Sequence, residues 1–459
     1  MVILREQRKH AKYADAGRIQ EESITCCGEN SALIGFAADI GTTTIALTAV
    51  DLRSGNIIGS LSEMNEQTKL GADVMMRVMH SLSGKRGKLH EIVVQQIEGM
   101  AKRILAEKAM GIDVGRSRFI FSVVGNTVMC HLFLAQDVAG LAGYPFRPAY
   151  TGNYHCCGKD IGMDFFSCAE VYVLSGIAAH VGSDALAVIG AEGLYGKDKI
   201  QLAIDLGTNA EIILNQHGTV KVCSTAAGPA FEGKGIQCGM PAKEGAVNGI
   251  KMSSANGNIV LEYICGRLPR GICGSGLVDA VAGLRKCRVL QPDGYLLSAD
   301  EAERQKIQAR INKRITKRNG QNAFLFYADE ENGEEIYLQQ SDIRGVQLAK
   351  GAIQAGIQCL LSESRLKLSE VDEIVVAGVL GSCMRPANAV SIGLLPDTLP
   401  KLRFAGNAAG RGAERILTDK SFLGDMERLA GQISHVELAQ MEDFQGHLMR
   451  SMELVPFCG

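Results

Sequence analysis

"AADIGTTTIAL", residues 37–47, sets an aspartate, a glycine and three threonines between two apolar runs, and "LAIDLGTNAEIIL", residues 202–214, does much the same far downstream. Each reads as a buried strand, a tight turn and a second strand. Glycine at the tip leaves backbone N–H groups unshielded, so they can face an anion. Threonine hydroxyls add donors, and the preceding aspartate can hold a hydrated Mg²⁺ that also touches phosphates. One copy alone is an ordinary hairpin, since Asp, Gly and Thr are common in turns. Two copies in matching strand contexts argue for the two halves of a phosphate clamp, with Asp39 and Asp205 beside one metal ion and one attacking water.

The flanking sequence repeats as well. Residues 33–60 read as three consecutive strands, 91–106 as an amphipathic helix, and "FIFSVVG" (119–125) as a strand followed by a helix from Asn126. In the second half, 200–226 are again three strands, 346–363 a helix, and 371–382 a buried strand running into a glycine turn. In that last stretch Gly378-x-x-Gly381-Ser382 lets backbone approach a flat, uncharged ring system, the adenosine side of a nucleotide site. "GICGSG" (271–276) precedes a helix whose first amides either face an anion or nucleotide sugar, or simply follow a glycine turn capped by Ser275. Cys273 there reads as structural. The charged tract 296–336 reads as a solvated helix with a surface loop and carries no assigned function.

A chain of 459 residues holds two or three domains. Its formal net charge of -2 gives no electrostatic case for nucleic acid or an anionic membrane. The N-terminus is charged almost from its start, with no signal-peptide core, and no apolar run approaches a membrane span of about 18 residues. The expected location is the cytoplasm. There the 14 cysteines are thiols rather than disulfides. No Cys-x-x-Cys occurs, which leaves two readings: scattered thiols, or a cluster or metal site built from Cys156, Cys157 and Cys168, including one shared across a dimer.

In order, the two turns and "VVAGVLGS" resemble the phosphate-1, phosphate-2 and adenosine motifs of the actin, sugar-kinase and heat-shock-chaperone (ASKHA) superfamily. The resemblance implies an α/β fold of two duplicated ribonuclease-H-like domains around a nucleotide cleft. "VVGNTVMCHLF" (123–133) and "GNAAGRGAERIL" (406–417) then stand for the two hinge-lining helices. Within the superfamily, "ADIGTTT", "NEQTKLGADVMMRVMH" (65–80), "GNTVMCHLF", "YPFRP" (144–148), "DLGTNAEI", "STAAGPAFEG" (224–233), "GICGSGLVDA", "DIRGVQLAKGAI" (342–353) and "IGLLP" (392–396) together resemble the reductive activators of corrinoid-dependent methyltransferases. Those proteins use ATP to drive one-electron reduction of inactive Co(II) to Co(I) on a corrinoid protein, docking as homodimers.

Carried across by matching positions, the resemblance implies phosphate-1 at Asp39, Gly41, Thr42, Thr43 and Thr44. It implies phosphate-2 at Asp205, Gly207, Thr208 and Asn209, and the adenosine turn at Gly378, Gly381 and Ser382. ATP and Mg²⁺ are the expected cofactors, with Asp39 and Asp205 as the catalytic carboxylates holding the metal. The expected layout is a leader or linker at 1–31, a first lobe at 32–198, a second at 199–403, and C-terminal helices at 404–459 packing back on the first lobe. Leu380 stands where the family tends to carry an aromatic. Its members also carry a cysteine-rich, ferredoxin-type domain, whereas only Cys26 and Cys27 precede Asp39 here, and Cys458 stands alone near the end. With no recognisable iron–sulfur motif, a separate ferredoxin-like electron donor is expected beside the corrinoid protein, and a homodimer by analogy. The alternative on the same scaffold is a small-metabolite kinase; a third reading is a chaperone-like ATP-binding module.

Overall fold

The computed structural model describes residues 32–108, 114–266, 268–329, 331–398, 401–419 and 421–457; the leader, Cys26, Cys27 and Cys458 lie outside them. The chain divides into two compact units, 1–193 with 408–433, and 194–407 with 434–459.

In the first unit, β1 (Leu33–Ile40), β2 (Thr44–Asp51) and β3 (Ile57–Met64) form an antiparallel meander. β4 (Arg118–Gly125) pairs parallel to β1, β6 (Glu170–Val173) parallel to β4, and β5 (Tyr154–Cys157) closes the edge in the order β3-β2-β1-β4-β6-β5. β1 lies at the centre of the sheet, antiparallel to β2 and parallel to β4, and is buried along almost its whole length. That is why "LIGFAADI" is apolar almost throughout, whereas the edge strand β3 alternates. Phe36 and Phe121 stack at the centre of this core, and Phe166 meets both rings edge-on.

The second unit repeats the plan. β7 (Ile200–Leu206), β8 (Ala210–Gln216) and β9 (Thr219–Thr225) form the meander. β16 (Glu373–Ala377) pairs parallel to β7, and β17 (Leu402–Gly406) parallel to β16. The register matches between halves: Asp39 lies opposite Val124, just before Gly125, and Asp205 opposite Ala377, just before Gly378.

Helices frame these sheets, among them α1 (Val74–His80), α2 (Arg86–Lys108), α3 (Thr127–Phe133) and α4 (Ser183–Glu192) in the first unit, then α5 (Gly274–Lys286), α6 (Ala299–Arg304) and α7 (Ala309–Asn312) in the second. On α2, Leu89, Val93, Ile97, Met100 and Ile104 recur at helical spacing and are buried against the sheet. The long α8 (Gln340–Glu363) starts where Asp342 accepts from the Gln339 amide at 2.9 Å, satisfying one of the unpaired N-terminal donors.

Two expectations about organisation are corrected. Tract 296–336 is not a solvated helix with a loop. After the short α6 and α7 it forms an antiparallel sheet of β13 (Ile315–Arg318), β14 (Gln321–Asp329) and β15 (Glu334–Gln339). Its apolar residues fall at alternate positions, so Phe324, Phe326, Ile336 and Leu338 enter the second core while the charges face out.

The C-terminal stretch 404–459 likewise does not pack as one piece on the first unit. Residues 404–406 finish β17; α11 (Ala408–Thr418) and α12 (Phe422–Ala430) join the first unit. They follow α9 (Val379–Cys383) and α10 (Pro386–Ser391) of the second. From Ser434 the chain returns to the second unit, where β18 (Ser434–His435) pairs with β9 and α13 (Phe444–Arg450) lies on α8. Apolar Leu438, Leu454 and Phe457 anchor it in that core, and the buried Lys350 on α8 donates to the Glu453 carbonyl.

Candidate functional site

The first Asp-Gly-Thr turn joins β1 to β2, with Asp39 half-buried at the end of β1. A Cβ on Gly41 would stand 2.6 Å from the Thr44 carbonyl oxygen, so only glycine closes the turn this tightly. Three consecutive carbonyls are held from inside. Asn65 Nδ2 donates to the Gly41 oxygen at 2.9 Å, the Asn65 amide to Thr43 at 2.8 Å, and the Arg77 guanidinium to Thr42. A trans peptide sets its N–H opposite its C=O, so the Thr42 and Thr43 amides point to the other side, where an anion would meet them.

Arg77 is fully buried on α1 and also donates to the Gly71 carbonyl at 3.0 Å and Gln67 Oε1 at 3.2 Å. Burial lowers its guanidinium to about 10, still a cation at neutral pH. The motif "NEQTKLGADVMMRVMH" thus braces the turn, a role that the sequence reading left unassigned.

Beside this turn Ser183, at the start of α4, clamps the end of β4: its hydroxyl accepts from the Gly125 amide at 3.0 Å and donates to the Gly125 carbonyl at 3.2 Å. The neighbouring Asp184 was also missed. Burial pushes its carboxyl up to about 6, although its own helix supplies the Ala185 amide at 2.9 Å. Burial pushes the Cys130 thiol on α3 up to about 12; the Ser183 hydroxyl opposes this, and the nearby charges of Asp184 and Asp39 add to it.

The second turn joins β7 to β8, with Asp205, Thr208 and Asn209 half-buried and Gly207 exposed. The Gly228 amide donates to the Thr208 carbonyl at 2.9 Å, and the Thr208 hydroxyl donates to Glu232 Oε1 at 2.5 Å. The adenosine-type turn is brought directly onto it. Gly378, at φ +89°, would put a Cβ 2.6 Å from the Leu206 carbonyl oxygen and 3.2 Å from Asp205 Oδ1. Gly381 lets α9 settle on β16, where a Cβ would stand 3.0 Å from Val376 Cγ1; Ser382 follows on the same short helix.

"GICGSG" reaches the same place: a Cβ on Gly274 would lie 2.0 Å from the Phe231 carbonyl oxygen and 2.8 Å from Leu380 Cδ1. Ser275 does not cap the helix, correcting one of the two readings. Cys273 holds the cap position, and the Ser275 hydroxyl donates to the Asn248 carbonyl at 2.9 Å.

The predicted residues therefore fall into two groups, Asp39 with Gly41–Thr44 in the first unit, and Asp205, Gly207–Asn209, Gly378, Gly381 and Ser382 in the second. Among the described residues, no group of three or more His, Cys, Asp or Glu is placed to hold a metal ion. Cys156 and Cys157 are consecutive on β5 and so point to opposite faces. Burial raises the Cys156 thiol to about 12. No described helix is long and apolar enough to cross a membrane.

Two duplicated sheets, each carrying an Asp-Gly-Thr turn backed by a glycine at the end of the neighbouring parallel strand, define the ASKHA class. Comparison with known proteins narrows it. The family described as the C-terminal domain of RACo, the ASKHA domain, matches residues 199–456, and the RACo middle region matches residues 34–197.

The chain is 34% identical over 429 residues to the corrinoid activation enzyme RamQ of Eubacterium limosum, covering 92% of this chain and 70% of that one. It is 24% identical over 448 residues to the [Co(II) methylated amine-specific corrinoid protein] reductase of Methanosarcina barkeri, covering 90% and 75%. The solved structure of a reductive activator for corrinoid,iron-sulfur protein superposes with a TM-score of 0.83 at 29% identity, covering 93% of this chain and 67% of that one. The chain belongs to the RACo family.

Proposed function

We propose that this protein is an ATP-dependent reductive activator of a corrinoid protein, returning inactive Co(II) to Co(I) for methyl transfer. The observation that carries this reading is the match to the RACo family along nearly the whole chain, on a fold that keeps both Asp-Gly-Thr turns. Its residues fit a nucleotide: the Gly41, Thr42 and Thr43 carbonyls are held inward, which turns the amides of the same peptides outward, and Gly378 lets the adenosine-type turn close directly onto the end of β7.

In this reading Asp39 of the first unit and Asp205 of the second would each offer a carboxylate to the water shell of Mg²⁺. The Gly41–Thr44 and Gly207–Asn209 backbones bind phosphate oxygens, and Gly378, Gly381 and Ser382 admit the adenosine. Mg²⁺-ATP, when bound, would supply the free energy for the uphill reduction through transfer of its γ-phosphoryl group to water, leaving ADP and phosphate. ATP can shift the docked corrinoid protein only through states of the activator that bind it differently. The electron would come from a ferredoxin-like donor. The protein acts in the cytoplasm as a homodimer.

The test is ATP turnover with and without a purified corrinoid protein. Stimulation by the corrinoid protein is expected. Stimulation by a small metabolite, with none by the corrinoid protein, would instead favour a kinase.

A further inference from the structure

"STAAGPAFEG" remains without a role although it wraps the second turn. Its Gly228 amide holds the Thr208 carbonyl, and Ala230–Glu232 form a single 3-10 turn closed by Gly233 at φ +77°. A Cβ on Gly233 would stand 2.4 Å from the Met240 carbonyl oxygen, so the backbone fixes where Glu232 sits. From there Glu232 Oε1 accepts the Thr208 hydroxyl at 2.5 Å, while Oε2 is buried with no hydrogen-bond partner. A threonine hydroxyl has one hydrogen and two lone pairs. Once that hydrogen is directed to a carboxylate, the oxygen is left as an acceptor.

We propose that Glu232 is a positioning residue of the second turn, directing the Thr208 hydroxyl so that its oxygen accepts from magnesium-bound water and does not donate to phosphate. This rests on the ATP reading above and deepens it. Among the turn residues, Thr208 then belongs to the metal side of the site, and the phosphates are left to backbone amides.

Calorimetric titration with the non-hydrolysable analogue AMP-PNP, with Mg²⁺ and again with EDTA, separates the two roles. Thr208→Val is expected to weaken Mg²⁺-AMP-PNP about tenfold and to leave metal-free AMP-PNP within about twofold, the loss of one charge-assisted hydrogen bond. Glu232→Ala moves Mg²⁺-AMP-PNP in the same direction without weakening the metal-free analogue. The double variant binds no worse than Thr208→Val, because Glu232 acts through Thr208. Thr208→Ser, which keeps the hydroxyl, binds like the wild type.

Thermal unfolding without nucleotide supplies an independent reading: the double variant unfolds no earlier than the less stable single variant. Equal weakening by Thr208→Val with and without Mg²⁺ would make Thr208 a phosphate donor and overturn this inference alone, as would additive losses in the double variant. A wild type that binds AMP-PNP in neither condition overturns the proposed function, and this inference with it.

Discussion

The two Asp-Gly-Thr turns share a backbone and differ in how they are braced. In each, the neighbouring parallel strand ends in a glycine pressed on the residue after the aspartate: a Cβ on Gly125 would lie 2.7 Å from the Ile40 carbonyl oxygen, and one on Gly378 would lie 2.6 Å from that of Leu206. The supports behind the turns do not correspond. The first is held by a buried cation, Arg77, with Asn65 and Gln67; the second by a carboxylate, Glu232, on a threonine hydroxyl. Close backbone approach is thus common to both halves. The electrostatics around each turn belong to that half alone, so equivalent substitutions should not have equivalent effects.

The largest effect is expected where the halves are most alike. Asp39→Ala and Asp205→Ala should each lower ATP turnover by about a hundredfold or more, the scale of losing one charge-stabilising group at a reacting centre. Both should keep the wild-type melting temperature. Full turnover in either would remove that carboxylate from the chemistry.

Arg77→Met comes next and should act on stability first. It strands the Thr42 and Gly71 carbonyls in a dry interior, at about 1–3 kcal/mol for each unsatisfied group. Denaturant unfolding reads this, and Glu232→Ala should cost less because its partner hydroxyl can turn to another acceptor. An equal loss in the two variants would erase the contrast between cationic and anionic bracing.

Gly125→Ala and Gly378→Ala sharpen the shared part. Both meet a carbonyl oxygen, but Gly378 also holds φ +89°, where a side chain adds about 1–3 kcal/mol of strain. Gly378→Ala should therefore unfold at lower denaturant than Gly125→Ala.

The smallest effect concerns Asp184. Its carboxyl lies at about 6 in the folded protein against an ordinary 3.8, because burial disfavours its charge. The folded state then binds more protons than the unfolded state between those values, so this group favours folding in acid and loses that contribution as pH rises from about 4 to 6. Asp184→Asn should match the wild type near pH 4 and become the more stable of the two above pH 6. A constant difference across that window would show that the carboxyl is not held up by burial.

Much of the fold was legible because the duplicated elements are local and strongly patterned. The strands on either side of Asp39 and Asp205 are apolar for the same reason, burial within a sheet, and the turns carry their glycines in place. The supports were not legible. Arg77 reaches Thr42 across 35 positions and Glu232 reaches Thr208 across 24, and both belong to residue types that usually face water.

Tract 296–336 misled because its charge density hid a two-residue alternation that buries Phe324 and Phe326. The C-terminal tail misled because only a few apolar residues, Leu438, Leu454 and Phe457, decide which core it joins. Ser275 looked like a cap by residue type, yet its hydroxyl is taken by Asn248.

We propose that ATP turnover on this protein drives cobalt reduction on a corrinoid partner. The direct measurement is anaerobic absorption spectroscopy of a Co(II) corrinoid protein with this protein, a ferredoxin-type reductant, and Mg²⁺-ATP or AMP-PNP. Appearance of the Co(I) spectrum with ATP, and its absence with AMP-PNP or with Asp205→Ala, is the predicted result. Co(II) persisting while ATP is consumed, or Co(I) forming equally without nucleotide, would contradict it.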